Sequence, residues 1–549
     1  MLCAIVYNGA MRKTEGTSEQ EKKGVQNACG QCAVKAPCGA RVLLWPWLLL
    51  PLLGTLFAVW YIHAAAADVV YSDYIRLVDE YLPDVTNPDK FFVADVFTRI
   101  PAAFLQRLIN VKLFGFSVTV DRLCTAAGLL LCALVLSLYA RRMKLRLPWY
   151  LAIMAVLFSL NKWEILLNGS AWAHVVSFGL FFGNYAVFDY IWQADVQRLK
   201  AAGTTAGARQ ASQEPREVPL FRAEGIRKKN WNWLLFLFPF LILMFAGEYI
   251  AAYAGVMLLA SGYCMWHLRR SRRLQKQRQA QMPCAAAQSG NGKNCARFYA
   301  GVFFCTLAAL FIYLLSRHYA VWDHAGATSA SLSEVMAEQP LFLPRFFVKS
   351  FAGAVLGQET IQNFYGQGQP LQDGLIVLLG LLVMAAYLLA LLLCLSRKLY
   401  ERTLFPLILL LSGGMNHVLV TMGRWIFVRE DYALSSRYSA QFMIGLIGVL
   451  LIFGLCQTGR KKSGGRAFVR MASLGLTALM LAGNGYTTVQ EIQKVPYREE
   501  NYEEMALMLR TADNYTAEEL CQRLDWHKAS ADLYEAIDIL RENHLNVFR

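Results

Sequence analysis

Ionisable side chains that border apolar stretches are the residues of this chain most suited to chemistry, and most are expected at one end of those stretches. An ionisable group at membrane depth is costly in free energy and usually faces a protein interior or a water-filled cavity. These residues come from segments far apart in sequence, but all are expected at about the same depth in the bilayer. They therefore predict one shared polar cavity. They are Asp68, Asp73, Asp79, Glu80, Lys162, Glu164, Glu248, His417, Arg424, Glu430, Asp431 and Arg437.

Asp73 is the candidate general base. It lies in Tyr-Ser-Asp-Tyr at 71–74, shortly after the first apolar stretch and at the start of a predicted helix. A carboxylate in this place could take a proton from a hydroxyl group that enters the cavity. The alternative is structural: Ser72 or Asp73 caps the helix, or Asp73 pairs with Arg76 one turn later.

Arg437 is the candidate anion-binding residue. It lies in Ser-Ser-Arg-Tyr at 435–438, and a guanidinium binds phosphate through paired, charge-assisted hydrogen bonds. Arg424 and Arg429 precede it in the same loop. The alternatives are contact with lipid headgroups and pairing with the acidic residues at 430 and 431.

Four further residues are candidates for binding a ligand in the cavity. Glu164 ends Asn-Lys-Trp-Glu at 161–164, and Glu248 lies in a very short connection between apolar stretches. Either carboxylate could bind a sugar hydroxyl or simply be solvated. Trp163 fits a sugar-stacking surface or an interfacial aromatic belt equally well, and Asp68 follows the first apolar stretch.

The elements that must position these residues are apolar stretches of roughly 20 residues, the length that crosses a bilayer. They cover 42–64, 122–140, 147–161, 173–192, 231–247, 249–267, 298–316, 374–395, 404–422, 439–457 and 471–486. The segments on one side of them carry 34 of the 54 lysines and arginines. By the positive-inside rule that side is cytoplasmic, with the N-terminus inside and the C-terminus outside. The sequence therefore predicts an all-α polytopic membrane protein with about 11 transmembrane helices.

Composition excludes several classes of protein. Hydrophobic residues make up 56% of the chain, too many for a soluble globular protein of this size. The net charge of +15 lies in loops expected to face the cytoplasm, so it indicates contact with membrane lipids and not with nucleic acid. There is no P-loop, which excludes a nucleotide-driven pump. Cys29, Cys32 and Cys38 form a short run without a nearby histidine, and we predict that they bind no metal.

The chain is expected to divide into a disordered cytoplasmic tail (1–41), a transmembrane bundle (42–486) and an outward-facing helical segment (487–549). The bundle carries two long outward loops, 65–121 and 317–373. The first loop contains two predicted helices, 72–82 and 89–110, and the second is expected to kink at Pro101 and to lie on the membrane with its aromatic face down. The last segment is expected to pack around Leu507, Leu509, Leu520, Leu524, Leu533, Ile537 and Leu540.

This layout resembles that of the GT-C superfamily of membrane glycosyltransferases, in particular its uncharacterised bacterial multi-pass members. The resemblance rests on the number of spans, the long first outward loop with an acidic residue near the first span, and four short pieces. These pieces are Y-S-D-Y at 71–74, N-K-W-E at 161–164, S-S-R-Y at 435–438 and the terminal IDILRENHLNVFR. Many bacterial relatives carry two adjacent acidic residues in the first loop, whereas here Ser72 precedes a single Asp73.

The resemblance implies an enzyme of the plasma (inner) membrane that transfers a sugar from a polyprenyl-phosphate donor to an envelope glycan or lipid acceptor on the outer face. Asp73 would be the base, Arg437 would hold the donor phosphate, and Glu164 and Glu248 would assist. No cofactor is predicted, although the resemblance leaves a divalent metal open. A flippase or exporter for lipid-linked saccharides, or a polymerase that joins them, is the alternative.

Overall fold

The chain is helical throughout the part that the structure describes. The computed structural model describes residues 45–93, 100–204, 232–281, 291–317, 326–357, 359–361, 370–457 and 464–549. Within these ranges there is no β-strand, and ten segments are long and apolar enough to cross a membrane. The protein is therefore an all-α polytopic membrane protein, as the sequence predicts.

Eleven of the helices correspond one by one to the eleven predicted apolar stretches. In chain order the α-helices of the described ranges are α1 (Trp45–Ala65), α2 (Asp73–Tyr81), α3 (Pro101–Phe114), α4 (Val118–Arg142), α5 (Leu147–Leu157), α6 (Trp163–Leu167), α7 (Trp172–Thr204), α8 (Asn232–Ala246), α9 (Ile250–Gln281), α10 (Asn291–Ser316), α11 (Leu332–Glu338), α12 (Phe342–Gly353), α13 (Pro370–Ser396), α14 (Leu399–Arg402), α15 (Phe405–Arg424), α16 (Ser436–Cys456), α17 (Gly464–Gln493), α18 (Val495–Arg510), α19 (Ala517–Arg523) and α20 (Ser530–Glu542). The predicted stretches are α1, α4, α5, α7 to α10, α13 and α15 to α17.

The counts of ten segments and eleven helices differ at one place. The apolar segment Trp233–Leu274 is 42 residues long and contains both α8 and α9, separated by a 3-10 turn at Gly247–Tyr249. Gly247 has a φ of 53°, a conformation that glycine adopts at little cost and other residues rarely adopt. This turn holds Glu248 at the end of the bundle.

Helix α16 lies at the centre of the bundle. All of its apolar window is buried, whereas only 22% of the window of α17 and 28% of that of α1 are buried, as expected for helices that face lipid. Helices α15 and α16 approach closely at glycines, since a Cβ atom on Gly413 would come within 2.3 Å of the Gly445 Cα. Small residues of this kind let membrane helices pack backbone to backbone, and here they bring the end of α15 beside the start of α16.

The first loop contains the predicted helix 72–82, as α2, but its second helix differs from the prediction. Pro101 does not kink a helix; it is the first residue of α3, where a missing N–H and a fixed φ are tolerated. Residues 94–99 lie outside the described ranges. The predicted membrane face is the one on which Phe104 and Leu108 follow each other at a spacing of four residues. It packs against the protein, and Leu105 is exposed instead. This helix has apolar residues around most of its circumference, so periodicity alone chose the wrong face.

The C-terminal segment is a compact group of helices that packs on the first loop. Helices α18, α19 and α20 bury Leu509, Leu520, Leu524, Leu533, Ile537 and Leu540, as predicted, whereas Leu507 is 57% exposed. These side chains belong to the main core of the protein and not to a separate one. Helix α20 lies against α2, so the end of the chain contacts the loop that carries Asp73.

At the opposite end of the bundle a buried carboxylate ties helices together. Asp189 of α7 is fully buried and accepts hydrogen bonds from the Thr403 hydroxyl at 3.0 Å and from the Leu404 N–H at 2.6 Å. Arg142, at the end of α4, donates to the same carboxylate at 2.5 Å. A buried charge is tolerated when it is paired and hydrogen-bonded in this way, and these contacts fix α4, α7 and α15 relative to one another.

Candidate functional site

A cavity of about 280 Å³ lies at the end of the bundle where α7, α15 and α16 meet the first loop. This volume is close to the lower end of the range for small-molecule sites. The polar and aromatic side chains that line the cavity are Asp73, Arg76, Glu80, Tyr81, Arg107, Glu164, Asn168, Ser170, Trp172, His174, Glu248, Tyr249, Arg424, Tyr432, Arg437 and Tyr438. Aromatic rings mixed with charged groups suit a polar ligand that also has apolar faces.

Four of the six predicted site residues line this one cavity. They are Asp73, Glu164, Glu248 and Arg437. Each comes from a different part of the chain: the start of α2, the start of α6, the turn between α8 and α9, and the start of α16. The other two, Asp68 and Trp163, do not line it.

Arg437 is held by Glu164 and not by the acidic residues of its own loop. Its Nε donates to Glu164 Oε1, and the Ser436 hydroxyl donates to Glu164 Oε2 at 2.8 Å. The Arg437 side chain is 40% exposed, and within the described chain its two terminal nitrogens donate to no other residue. One edge of the guanidinium is thus fixed, and the other edge is available to a ligand in the cavity.

Asp73 presents its carboxylate to the cavity. Among the described residues it has no hydrogen-bonding or ion-pairing partner, and it is only partly buried. Arg76, its predicted partner, pairs with Glu80 at 2.8 Å, and the Ser72 hydroxyl does not cap α2. Asp73 lies close enough to Arg437 for its negative charge to act on the guanidinium. Within the described chain, the structural alternatives considered for Asp73 are therefore absent.

Glu248 and Arg424 form the second charged part of the cavity. Glu248 is half-buried, has no hydrogen-bonding or ion-pairing partner in the described ranges, and acts through its charge on Arg424. The Arg424 guanidinium lies over the ring of Tyr438, 5.5 Å from its centroid. The cavity therefore combines two arginines, from the ends of α15 and α16, with two carboxylates that are neither hydrogen-bonded nor ion-paired within the described chain.

A buried carboxylate that sequence reasoning missed fixes one wall of the cavity. Asp121, fully buried in the first turn of α4, accepts hydrogen bonds from the Tyr74 hydroxyl at 2.7 Å, from Asn110 at 2.9 Å and from Arg107. Burial acts to lower the pKa of Arg107, but the adjacent Asp121 outweighs it and raises that pKa. An acidic residue directly before the apolar stretch 122–140 was the signal that could have revealed this site.

Asp68, predicted to bind a ligand, caps a helix instead. Its carboxylate is exposed and accepts hydrogen bonds from the Val118 N–H at 2.7 Å and the Thr119 N–H at 3.2 Å. These are two of the unsatisfied N–H groups at the start of α4, where a negative charge also meets the positive end of the helix dipole. Asp68 therefore joins the end of α1 to the start of α4 outside the cavity.

Trp163, the predicted sugar-stacking residue, is covered by another side chain. The Arg498 guanidinium lies 3.4 Å from the centroid of its ring, and the same arginine donates to Glu491 at 2.7 Å and to Glu359 at 3.0 Å. This cation–π contact occupies a face of the ring that a sugar would need. The tryptophan that lines the cavity is Trp172, at the start of α7.

The remaining charged groups of the 424–438 segment are paired away from Arg437. Glu430 accepts from Arg345 at 3.0 Å and from Lys349 at 2.5 Å, and Arg429 pairs with Asp431 at 2.8 Å. Arg429 is 63% exposed and does not line the cavity. The predicted alternative, pairing with the acidic residues at 430 and 431, therefore holds for Arg429, whereas Arg437 pairs with neither of them within the described chain.

Among the described residues no group of three or more His, Cys, Asp or Glu side chains is arranged to hold a metal ion. Cys29, Cys32 and Cys38 lie outside the described ranges.

Comparison with known proteins gives no relative: no protein-family model, curated protein or solved structure matches this chain. The fold and the site define a polytopic membrane protein with a charged cavity at one end of its bundle. Since one fold serves many functions, the function has to be argued from the site.

Proposed function

We propose that this protein is a membrane glycosyltransferase that moves a sugar from a polyprenyl-phosphate donor to an acceptor hydroxyl. The main supporting observation is that one cavity contains both a carboxylate that can accept a proton and a guanidinium that can bind a phosphate. Asp73 offers a carboxylate that has no hydrogen-bonding or ion-pairing partner among the described residues, and Arg437 offers the outer edge of a guanidinium whose Nε is bound to Glu164. The two groups lie close enough for their charges to interact.

These groups suit the two halves of a sugar transfer. The Asp73 carboxylate would accept the proton of the acceptor hydroxyl as its oxygen bonds to the anomeric carbon. The bond from that carbon to the phosphate oxygen would break on the opposite side, which leaves a phosphate monoester with one more negative charge. Arg437 would stabilise this developing charge, and an arginine that is already oriented does so without reorganisation.

The surroundings support a sugar as the group that is moved. Trp172, Tyr249, Tyr432 and Tyr438 line the cavity beside the charged groups. Aromatic rings cover the apolar faces of a ligand, while the few placed polar groups fix its orientation. Glu248, which has no partner within the described chain, is placed to bind a sugar hydroxyl.

We also propose that the protein lies in a bacterial plasma membrane with its cavity on the outer side. The segments predicted to be cytoplasmic carry 34 of the 54 lysines and arginines, and the cavity residues lie in the segments predicted to be on the other side. By the positive-inside rule the cavity then opens on the outer side of a bacterial plasma membrane. The acceptor would be a glycan or lipid of the cell envelope, and the lipid donor would reach the cavity from the bilayer.

The test is transfer of label from radioactive polyprenyl-phosphate sugars in membranes that contain the protein. We expect Asp73→Asn and Arg437→Ala to insert normally and to lose transfer. Asp89→Asn is the matched control for the first variant, because Asp89 is exposed in the same loop and does not line the cavity.

Full transfer by Asp73→Asn would reject this carboxylate as the base. Movement of labelled lipid across the bilayer without any new glycosidic bond would reject the transferase and favour a flippase or exporter.

A further inference from the structure

The C-terminal segment 495–549, to which the proposed transfer assigns no role, holds the first loop directly beside Asp73. The Ser72 N–H donates to the Leu524 carbonyl at 2.8 Å, and the Ser72 hydroxyl donates to Asp525 Oδ2 at 3.1 Å. Ser72 and Asp525 are 453 residues apart in sequence. The residue before the proposed base is therefore held on both its backbone and its side chain by the end of the chain.

Ser72 has a backbone conformation that serine rarely adopts. Its φ is 50° and its ψ is −125°, close to the values of about +60° and about −120° at the first central position of a type II′ turn. Glycine is the preferred residue at that position. The Tyr74 N–H donates to the Tyr71 carbonyl at 3.0 Å and closes the turn. Tyr-Ser-Asp-Tyr is thus a strained turn whose second central residue is Asp73.

Such strain persists only where the surroundings over-determine the conformation, and it is often found at functional sites. Here the surroundings are the two hydrogen bonds that Ser72 donates to the Leu524 carbonyl and the Asp525 carboxylate. Asp525 itself has a φ of 54°, so two non-glycine residues with positive φ face each other. Without these bonds Ser72 is expected to relax to a negative φ, which would turn the start of α2 and move the Asp73 carboxylate.

We infer that Asp525 is a positioning residue for the cavity: it holds Ser72 in the turn that directs the Asp73 carboxylate toward Arg437. The inference rests on the proposed function for the chemical role of Asp73. The position of the Asp73 carboxylate does not depend on that function. The position can therefore be tested without a transfer assay.

An Asp73→Cys variant reports this position through its reactivity. Cys521→Ser is added, because Cys521 lies in the same C-terminal segment and is only half-buried. The full-length protein in membranes is treated with anionic sulfonatoethyl or cationic trimethylammonioethyl methanethiosulfonate, and each rate is divided by that of free cysteine. Beside Arg437 we expect the anionic reagent to react about fivefold faster than the cationic one, because a unit charge about 8 Å away in water attracts the first reagent and repels the second.

Removing the Asp525 side chain should abolish this preference. Asp525→Gly deletes the acceptor without adding backbone strain, because glycine accepts a positive φ. Adding Ser72→Gly should then restore the preference, since glycine adopts the turn without help. Ser72→Ala should lose the preference while the C-terminal segment stays unchanged. His527→Ala is the matched control, because it removes the other partner of Asp525, 3.1 Å away and 72% exposed, and should have no effect.

An unchanged preference in Asp525→Gly and Ser72→Ala would overturn the inference, and so would a loss that Ser72→Gly does not restore. If Asp525→Gly is not recovered from membranes, Ser72→Ala alone decides. A preference that is lost and restored as expected, in a protein that transfers no sugar, would keep the positioning role and reject the proposed function.

Discussion

Replacing Arg437 by lysine separates a two-point guanidinium contact from a simple positive charge. The Nε of Arg437 donates to Glu164, which leaves two terminal nitrogens for an anionic ligand. Lysine has a single nitrogen, so it can reach Glu164 or the ligand but not both. Arg437→Lys keeps the charge and loses the geometry, whereas Arg437→Ala loses both.

The expected magnitudes follow from the two hydrogen bonds. A hydrogen bond to a charged group contributes about 1.5–3 kcal/mol, and the lower value applies because the Arg437 side chain is 40% exposed. Loss of two bonds in Arg437→Ala then costs about 3 kcal/mol, which is more than about a hundredfold in kcat/KM. Arg437→Lys keeps one bond and should lose about tenfold.

The assay is the initial rate of label transfer at several concentrations of the lipid-linked donor, which gives kcat/KM for each variant. Arg429→Ala is the matched control, because Arg429 lies in the same segment, pairs with Asp431 and does not line the cavity. Equal kcat/KM for Arg437→Lys and the unmodified protein would refute the two-point contact. An equal loss in Arg429→Ala would show that positive charge near the cavity matters more than its placement.

Two further predictions concern the loop and the aromatic wall. Burial and the nearby charges of Glu535, Asp532 and Glu80 raise the pKa of Asp79 to about 7. The folded protein thus binds a proton there up to about pH 7 and the unfolded chain only to about pH 4, so stability should fall as pH rises between these values. Asp79→Asn should raise the melting temperature of the solubilised protein at pH 8 but not at pH 4; an equal gain at both would contradict this cause. Trp172→Leu should lower transfer severalfold, whereas Trp163→Leu should lower the melting temperature and leave kcat/KM within about twofold, and the reverse pattern would return the sugar contact to Trp163.

The helices could be predicted because each depends on local composition. Apolar length set the spans, and even the division of Trp233–Leu274 into two helices was marked by Gly247 and Glu248. The gathering of Asp73, Glu164, Glu248 and Arg437 in one cavity followed from their common level at the span ends. What each of them contacts could not be predicted in the same way, because every partner comes from a distant segment.

Lys162 and His417 show that the expected depth of a residue in the bilayer does not by itself predict that it lines the cavity. Both were expected in the shared cavity, and both are buried elsewhere. Lys162 donates to the carbonyls at the end of α5, such as that of Leu157 at 2.9 Å, and so satisfies groups that a helix end leaves unpaired. The His417 ring stacks between those of Phe351 and Phe442, with centroids 3.7 and 4.1 Å away. Nothing in the local sequence distinguishes these packing roles from a role in binding.

The distinction that matters for function is between carboxylates that the protein satisfies and carboxylates that it does not. Asp121 and Asp189 are fully buried and surrounded by donors, and each ties several helices together. Glu164 is satisfied by Arg437 and Ser436. Asp73, by contrast, has no partner within the described ranges, although the turn before it is held in a strained conformation by the far end of the chain. Strain of this kind costs stability. At Asp73 it fixes the direction of a carboxylate that forms no hydrogen bond or ion pair with any described residue. That cost is expected where a group must be ready for a ligand, and it makes Asp73 a stronger candidate for chemistry than any buried carboxylate of the described chain.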